Sequence, residues 1–212
     1  AGRGPSGDGP MSRALRVLMV SDVSPSQPAG GAERMLWEQA SRLAARGHDV
    51  RVLCRSHPDG ASGRIERQGV RIEHFSVDRR SLARFIWSSI LSARRAVSDA
   101  LAAAGAAVLH LHQPLAAYGT LLSPASRGIP SLYSFYSPAP LEYRSRRGMT
   151  LHHRGGWTGD FGVVTLWMIE RACLRRPSLI HVLSDYSADL LWKLYRVPTE
   201  RIVRIPGAVD VE

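Results

Sequence analysis

Two consecutive glycines, Gly30 and Gly31, lie where a predicted strand gives way to a predicted helix. The apolar run 16–21 precedes them, and a helical pattern over residues 32–46 follows. A helix N-terminus leaves backbone N–H groups unpaired and carries partial positive charge, and glycine lets a ligand oxygen approach the main chain closely. The pattern therefore predicts a site for an anionic or polyhydroxyl ligand, with a purely structural tight turn as the alternative.

The glycine spacing differs from that of two common nucleotide-binding loops. Within the segment 28–33 (PAGGAE) the glycines do not stand at the offsets of the dinucleotide fingerprint. No Lys-Ser or Lys-Thr pair follows, as a Walker loop would require. Other parts of the sequence must therefore decide between a ligand site and a turn.

Short β-rich runs alternate with helical patterns along the chain. Apolar residues recur near helical spacing over 32–46 and 80–104, and a further helix is predicted from Ser184 or Asp185 to about Tyr195. This alternation predicts an α/β fold with a doubly wound, mostly parallel sheet and helices on both faces. The predicted strands are 16–21, 49–54, 70–76, 107–111, 130–136 and 179–183.

Two segments interrupt this rhythm. Residues 137–160 contain prolines, arginines, histidines and paired glycines without sustained periodicity, which predicts a long functional loop. Residues 197–210 predict a turn, a short strand and another turn. We expect a tail over 1–10 that cannot form a core, one domain over 11–205, and the start of a hinge over 206–212.

The composition favours an intracellular protein that does not cross a membrane. Cys54 and Cys173 form no C-x-x-C pair, which favours reduced, buried thiols and a cytoplasmic setting. The sequence has no apolar run of about twenty residues, as a membrane-spanning helix would need. No metal-ligand set is visible either, because His152 and His153 lack a third ligand at suitable spacing.

The net charge of +10 comes almost wholly from arginine, since Lys193 is the only lysine. Arginines cluster over 79–95 and 144–154, where they could meet phosphates, anionic lipid or nucleic acid, or simply form solvated surface. No nucleic-acid motif accompanies them, so we expect no nucleic-acid partner.

Four segments together resemble the N-terminal domain of GT-B glycosyltransferases of the retaining, group 1 (family 4) kind. The first is PAGGAE at 28–33, with the step LAARGHDVRV at 43–52 into the second strand. The second is VLHLHQP at 108–114, similar to the family's H-x-H strand ending. The third is Glu170 ahead of IHVLS at 180–184, and the last is IPGAVD at 205–210, which is similar to the family's hinge sequence.

The resemblance implies a Rossmann-like half of a two-domain enzyme. In that family the sugar nucleotide is held chiefly by the C-terminal domain and the acceptor by the N-terminal one. The chain would then be the acceptor-binding half of a glycosyltransferase that uses a nucleoside diphosphate sugar and no further cofactor. It would be inactive without a C-terminal donor-binding domain, supplied in cis or in trans.

The resemblance also implies roles for individual residues. Gly30 and Gly31 match the glycine loop beside the donor phosphates, and His112 matches the second histidine of H-x-H, which would point into the cleft. Tyr136 stands where the family commonly has a histidine that contacts the transferred sugar. A phenol can donate a hydrogen bond to a sugar but does not act as an imidazole base. His112 and Tyr136 are therefore the candidate catalytic residues, and Gly30 and Gly31 the candidate donor contacts.

Further candidate substrate contacts come from the loop and from the matched motifs. Aromatic rings stack on sugar faces and arginine binds phosphates or carboxylates in paired hydrogen bonds, so the loop 137–160 predicts an acceptor-binding lid. The alternative is an ordinary solvated loop. The candidates are Glu33, Tyr143, Arg144, His152, His153, Trp157 and Ser184.

Two expectations concern partners. We expect the acceptor to be a small molecule, a glycan or a lipid-linked compound. The arginines and aromatic residues of 79–95 predict reversible contact with an anionic membrane surface. The competing hypothesis is a non-catalytic Rossmann-like module that binds a phosphorylated ligand or a partner protein.

Overall fold

A computed structural model of the protein describes residues 13–26, 30–56, 63–146 and 160–207. The described residues form one eight-stranded sheet in the order β3-β4-β2-β1-β5-β6-β7-β8. All neighbouring strands pair in parallel except β3 and β4, which form an antiparallel hairpin. The strands are β1 (Arg16–Ser21), β2 (Asp49–Arg55), β3 (Arg64–Arg67), β4 (Val70–Phe75), β5 (Val108–His112), β6 (Ser131–Phe135), β7 (Leu179–Val182) and β8 (Ile202–Arg204).

Helices cover both faces of this sheet, which confirms the predicted doubly wound α/β fold. A core cluster that includes Met19, Val52 and Leu36 lies on the α1 face, and a larger one that includes Leu18 and Ile90 lies on the other. The central strands are buried on both faces, as parallel strands between helical layers must be. The helices are α1 (Gly31–Ala45), α2 (Leu82–Ala104), α3 (Pro114–Leu122), α4 (Ala139–Arg146), α5 (Phe161–Arg175) and α6 (Asp185–Tyr195).

All six predicted strands are present, and β3 is an addition. Its four residues, Arg64–Arg67, are mostly exposed at the sheet edge and carry no buried apolar run, so hydrophobicity gives no sign of a strand there. The turn into β4 has positive φ at Gln68 and Gly69. The short strand predicted near the end of the chain is β8.

Part of the predicted loop 137–160 is helical. Helix α4 occupies Ala139–Arg146, and the backbone N–H groups of Leu141 and Glu142 donate to the Pro138 carbonyl. Prolines make this segment look like a loop in the sequence. The first turn of a helix nevertheless tolerates proline, because its N–H groups have no intrahelical partner. Residues 147–159 lie outside the described part of the chain.

The C-terminus of α2 is held by arginines from the sheet. Arg51 on β2 donates to the Ala100 carbonyl at 2.9 Å and to the Gly105 carbonyl, while Arg16 on β1 donates to the Ala104 carbonyl at 2.6 Å. The Ala104 carbonyl has no intrahelical partner, and the three bonds together anchor the end of α2 to the sheet. Gly105, which follows the last residue of α2, has φ 62° and ψ −176°, a backbone conformation that favours glycine.

Helices α2 and α3 cross closely at Gly119. A Cβ atom at this position would lie 2.4 Å from the Ile90 carbonyl oxygen and 3.0 Å from the Ala93 Cβ. Only glycine fits this crossing without backbone movement.

No helix among the described residues is long and apolar enough to cross a bilayer.

Candidate active site

The strand order reverses direction between β1 and β5, and a cleft of about 630 Å³ opens at this point. Helix α1 leads from β1 to β2 on one side, while β5 and the strands after it lie on the other. Ligands of open α/β sheets bind outside the carboxyl ends of the strands at such a reversal. The described lining residues come from the ends of β1, β2, β5 and β6, the N-termini of α1 and α3, and helices α2, α4 and α5.

Asp22 and Gln113 join the two halves of the sheet at the base of the cleft. The Gln113 Oε1 atom accepts from the Ser21 hydroxyl at 2.8 Å and from the Asp22 N–H at 3.1 Å. The Asp22 carboxylate accepts the N–H groups of Leu115 and Ala116 at 3.0 Å each and so caps α3. Burial raises the pKa of Asp22 although Arg55 and these N–H groups act in the opposite direction.

The N-terminus of α1 forms one wall of the cleft. Gly30 is extended, with φ −137° and ψ 178°, and Gly31 begins the helix, so neither backbone conformation requires glycine. A Cβ atom on Gly31 would have no atom within 4 Å, whereas one on Gly30 would lie 2.7 Å from Glu33 Oε2. The Glu33 carboxylate therefore folds back over Gly30, whereas Gly31, which also lines the cleft, has open space where a side chain would lie.

Tyr136 lines the cleft just beyond the end of β6, and His112 lies behind it. The Tyr136 hydroxyl is 2.9 Å from His112 Nδ1. Burial raises the pKa of Tyr136 to about 12, so the phenol keeps its proton. His112 is fully buried, and its Nε2 has no hydrogen-bond partner among the described residues. Within the described residues, His112 thus reaches the cleft through Tyr136 rather than directly.

A chain of hydrogen bonds runs beneath Tyr136 from β5 to the end of β8. Ser134 Oγ is 2.8 Å from His110 Nε2 and 3.0 Å from His181 Nδ1, and His181 Nε2 donates to the Ile205 carbonyl at 3.0 Å. The Ser134 hydroxyl thus bridges the rings of His110 and His181. Burial, with a smaller contribution from His181, lowers the pKa of His110 to about 3.

Glu170 forms the wall of the cleft opposite α1. Its Oε2 atom accepts from the Ala139 N–H at 3.0 Å and from the Tyr195 hydroxyl. Burial raises the pKa of Glu170 to about 8, against these hydrogen bonds. Glu170 is therefore a protonated carboxylic acid at neutral pH and can both donate and accept a hydrogen bond. The sequence resemblance marks Glu170 only as part of a motif, and Asp22 was missed, although it directly follows a buried strand.

The predicted lid residues have different positions. Tyr143 lines the cleft and packs on Gly162, where a Cβ atom would lie 2.7 Å from the Tyr143 hydroxyl. Arg144 is 6% exposed and is not among the described lining residues. Ser184 accepts from the Ser187 N–H at 3.3 Å and caps α6, away from the described lining.

The structure brings five of the predicted site residues to the cleft: Gly30, Gly31, Glu33, Tyr136 and Tyr143. The predicted contacts His152, His153 and Trp157 lie outside the described residues. The described residues contain no group of three or more histidine, cysteine or acidic side chains that could hold a metal ion.

Comparisons with known proteins identify the family and the fold. A family model described as Glycosyltransferase Family 4 matches residues 29–212. No curated protein matches the sequence significantly. Among solved structures, sucrose-phosphate synthase from Thermosynechococcus elongatus matches with a TM-score of 0.73 and 16% identity, over 92% of this chain and 49% of that chain.

Two further structures share the fold at lower similarity. HepE of Anabaena, solved in complex with UDP, matches with a TM-score of 0.56 and 18% identity, over 92% of this chain and 44% of that chain. UGT2 of Phytolacca americana, complexed with UDP-2-fluoro-glucose and pterostilbene, matches with a TM-score of 0.56 and 13% identity, over 95% of this chain and 56% of that chain. The chain thus spans about half the length of each of these three structures.

Proposed function

Because the chain belongs to Glycosyltransferase Family 4, we propose that it is the acceptor-binding half of a retaining glycosyltransferase. A sugar moves from a nucleoside diphosphate sugar to an acceptor hydroxyl held in the cleft. A C-terminal domain, in cis or in trans, holds the donor, and without it the chain does not complete a turnover. The fold relatives solved with UDP or a UDP-sugar support this choice of donor. The reaction needs no cofactor besides the donor.

Gly31 is the observation that carries this proposal. Glycine at the start of a helix weakens the helix relative to alanine, and the backbone of Gly31 does not require it. Gly31 lines the cleft at the strand reversal, and a Cβ atom at this position would meet no other atom within 4 Å. Close approach of a ligand to the main chain accounts for the absence of a side chain. This favours a ligand site over the alternative of a structural turn.

The chemistry follows from the groups that face the cleft. Backbone N–H groups at the N-terminus of α1 stabilise negative charge that develops on the departing diphosphate. The Tyr136 hydroxyl, positioned by His112, forms a hydrogen bond to a sugar hydroxyl. Its raised pKa keeps it from acting as a base near neutral pH, so its role is to orient the sugar.

The test is glycosyl transfer by the full gene product, measured by mass spectrometry across nucleotide sugars and acceptors. Gly31→Trp fills the cleft and abolishes transfer. Ala45→Trp, at the exposed far end of the same helix, is the matched control and leaves transfer intact. The proposal fails if Gly31→Trp transfers sugar as fast as Ala45→Trp, or if no nucleotide sugar is used at all.

The outward face of α2 supports a second proposal, reversible binding to an anionic membrane surface. Arg84, Trp87, Leu91 and Arg95 follow one another at helical spacing, and all four are exposed. Trp87 is 64% exposed and Leu91 43% exposed. Basic residues around exposed apolar side chains are typical of helices that lie on anionic lipid at the cytoplasmic face of a membrane.

Vesicle sedimentation tests the membrane proposal. We expect the protein to pellet with vesicles that contain acidic lipid and to remain in solution with neutral ones. Trp87→Ser weakens pelleting, whereas Trp192→Ser, which removes a half-exposed tryptophan on α6, does not. Equal pelleting on neutral and acidic vesicles contradicts the proposal.

A further inference from the structure

Gln113 has a backbone conformation that glycine normally occupies. It lies between β5 and α3 with φ 56° and ψ 152°. Residues other than glycine reach this region only under strain, and strained residues are found most often at ligand sites, where surrounding contacts hold them. A glycine at this position would remove the strain, which indicates that the glutamine side chain itself has a role.

The two ends of the Gln113 amide can be told apart from their surroundings. The Asp22 main-chain N–H group can only donate, so the amide atom 3.1 Å from it is the oxygen, Oε1. The Ser21 hydroxyl is 2.8 Å from the same atom. The Nε2 group has no hydrogen-bond partner among the described residues, although Gln113 lines the cleft and is partly exposed. Its N–H donors therefore remain for a ligand.

The surroundings of Gln113 favour an uncharged ligand oxygen. Gln113 follows β5 and Asp22 follows β1, so both lie at the strand reversal, where ligands of such sheets bind. The Asp22 carboxylate accepts the N–H groups of Leu115 and Ala116 and so compensates the positive end of α3. Arg55 lies 3.9 Å from Asp22 Oδ1 and offsets the charge of that carboxylate. A neutral amide donor in these surroundings suits a hydroxyl group better than a phosphate.

We propose that Gln113 determines acceptor specificity, because its Nε2 group donates a hydrogen bond to a hydroxyl oxygen of a sugar acceptor at the base of the cleft. The donor diphosphate, placed at the N-terminus of α1, uses a different part of the cleft. This inference rests on the proposed function, since it names the group that binds the acceptor of that reaction. The competing role for Gln113 is a purely structural link between β1 and β5 through Oε1.

NMR titration of the isotope-labelled chain with methyl glucoside, methyl galactoside and methyl mannoside tests the contact. We expect at least one glycoside to bind and to shift the side-chain N–H signals of Gln113, which are assigned by their loss in Gln113→Gly. Glycine adopts a φ of 56° without strain, so this variant retains the backbone conformation and loses the donor. It should bind the glycoside about twofold to tenfold more weakly, the effect of one hydrogen bond.

Monodeoxy analogues of the bound glycoside separate a direct contact from a change in the shape of the cleft. The analogue that lacks the hydroxyl bound by Nε2 should bind the native chain more weakly, and it should lose no further affinity in Gln113→Gly. A purely structural link would instead weaken all analogues alike.

Gln68→Gly is the matched control. Gln68 also has a positive φ, 49°, but it is exposed in the turn between β3 and β4, outside the described cleft lining. This variant should leave every affinity unchanged. The inference is overturned by Gln113 side-chain signals that do not move at saturating glycoside, by an equal loss for every analogue, or by failure of all the glycosides to bind.

Kinetics of the full gene product separate the failure of this inference from failure of the proposed function. Gln113→Gly should raise the KM for the acceptor and leave the KM for the nucleotide sugar unchanged. If the native enzyme transfers sugar and Gln113→Gly has the native KM for the acceptor, only the role of Gln113 is wrong. If the native enzyme uses no nucleotide sugar, the proposed function fails as well.

Discussion

Replacing Glu170 with glutamine tests whether a neutral carboxylic acid forms the wall of the cleft. The glutamine carbonyl can still accept from the Ala139 N–H and the Tyr195 hydroxyl, so the hydrogen bonds of Glu170 Oε2 are retained. The substitution removes only the ionisation of this side chain, because an amide does not ionise in this pH range. The substitution therefore separates the charge of Glu170 from its packing.

The magnitude follows from the two pKa values. Glu170 has a pKa of about 8 in the folded protein against an ordinary value of 4.5. Between these values the unfolded chain has lost a proton that the folded chain retains, so the contribution of Glu170 to the free energy of unfolding falls as the pH rises. Each pH unit in this window corresponds to about 1.4 kcal/mol, or about 4 kcal/mol from about pH 5 to about pH 8.

Urea unfolding at several pH values from about 5 to about 8 measures the effect. We expect the free energy of unfolding of Glu170→Gln, relative to the native chain, to rise by as much as about 4 kcal/mol across this range. Glu38→Gln, which removes an exposed carboxylate paired with Arg42, should follow the native curve. Parallel curves for Glu170→Gln and the native chain would show that Glu170 is ionised in the fold, and would refute the reasoning.

Three further changes test other parts of the structure. Gly119→Ala places a Cβ atom against the Ile90 carbonyl. It should lower the free energy of unfolding, measured in urea, by about 1–3 kcal/mol, and by more if α2 and α3 cannot separate. An unchanged urea midpoint contradicts the close crossing of the two helices. Arg51→Met removes the hydrogen bonds that hold the C-terminus of α2. It should lower the free energy of unfolding by about 1–3 kcal/mol and speed amide hydrogen exchange in the last turn of α2. Unchanged exchange in that turn contradicts the anchoring role of Arg51. Burial lowers the pKa of His110 to about 3, so the contribution of His110 to the free energy of unfolding should fall as the pH drops below about 6.5, opposite in sign to the contribution of Glu170. His110→Gln should remove this contribution and change the slope of the free energy of unfolding against pH by about 1.4 kcal/mol per pH unit below about 6.5. An unchanged slope contradicts a neutral, buried His110.

The sequence predicts the central sheet well because burial on both faces leaves a strong signal. Strands such as β1 and β2 are near-continuous apolar runs, and the helices between them imply parallel pairing. Strand β3 leaves no such signal because its side chains are charged and it pairs only at the edge. Helix α4 is missed because Pro140 suggests a loop. In the structure this proline lies in the first turn of the helix, where proline is tolerated.

The candidate site is predictable only in part, because side-chain direction depends on the folded backbone. Gly30 and Gly31 are found from their place between a strand and a helix. That His112 lies behind Tyr136 rather than in the cleft lining depends on the register of β5 against β6, which spacing along the chain does not specify. The raised pKa of Glu170 depends on burial by α4 and α6, which are distant in sequence.

Both edges of the sheet are formed by short strands that carry charged residues. At one edge β3 is only four residues long and bears Arg64, Glu66 and Arg67, and at the other β8 spans three residues and ends at Arg204, which pairs with Asp185 at 2.8 Å. Short, charged edge strands offer a poor template for a strand from another molecule. Concentrated solutions of the folded chain should consequently resist the edge-to-edge pairing of sheets that leads to fibrils, although each molecule contains an eight-stranded sheet.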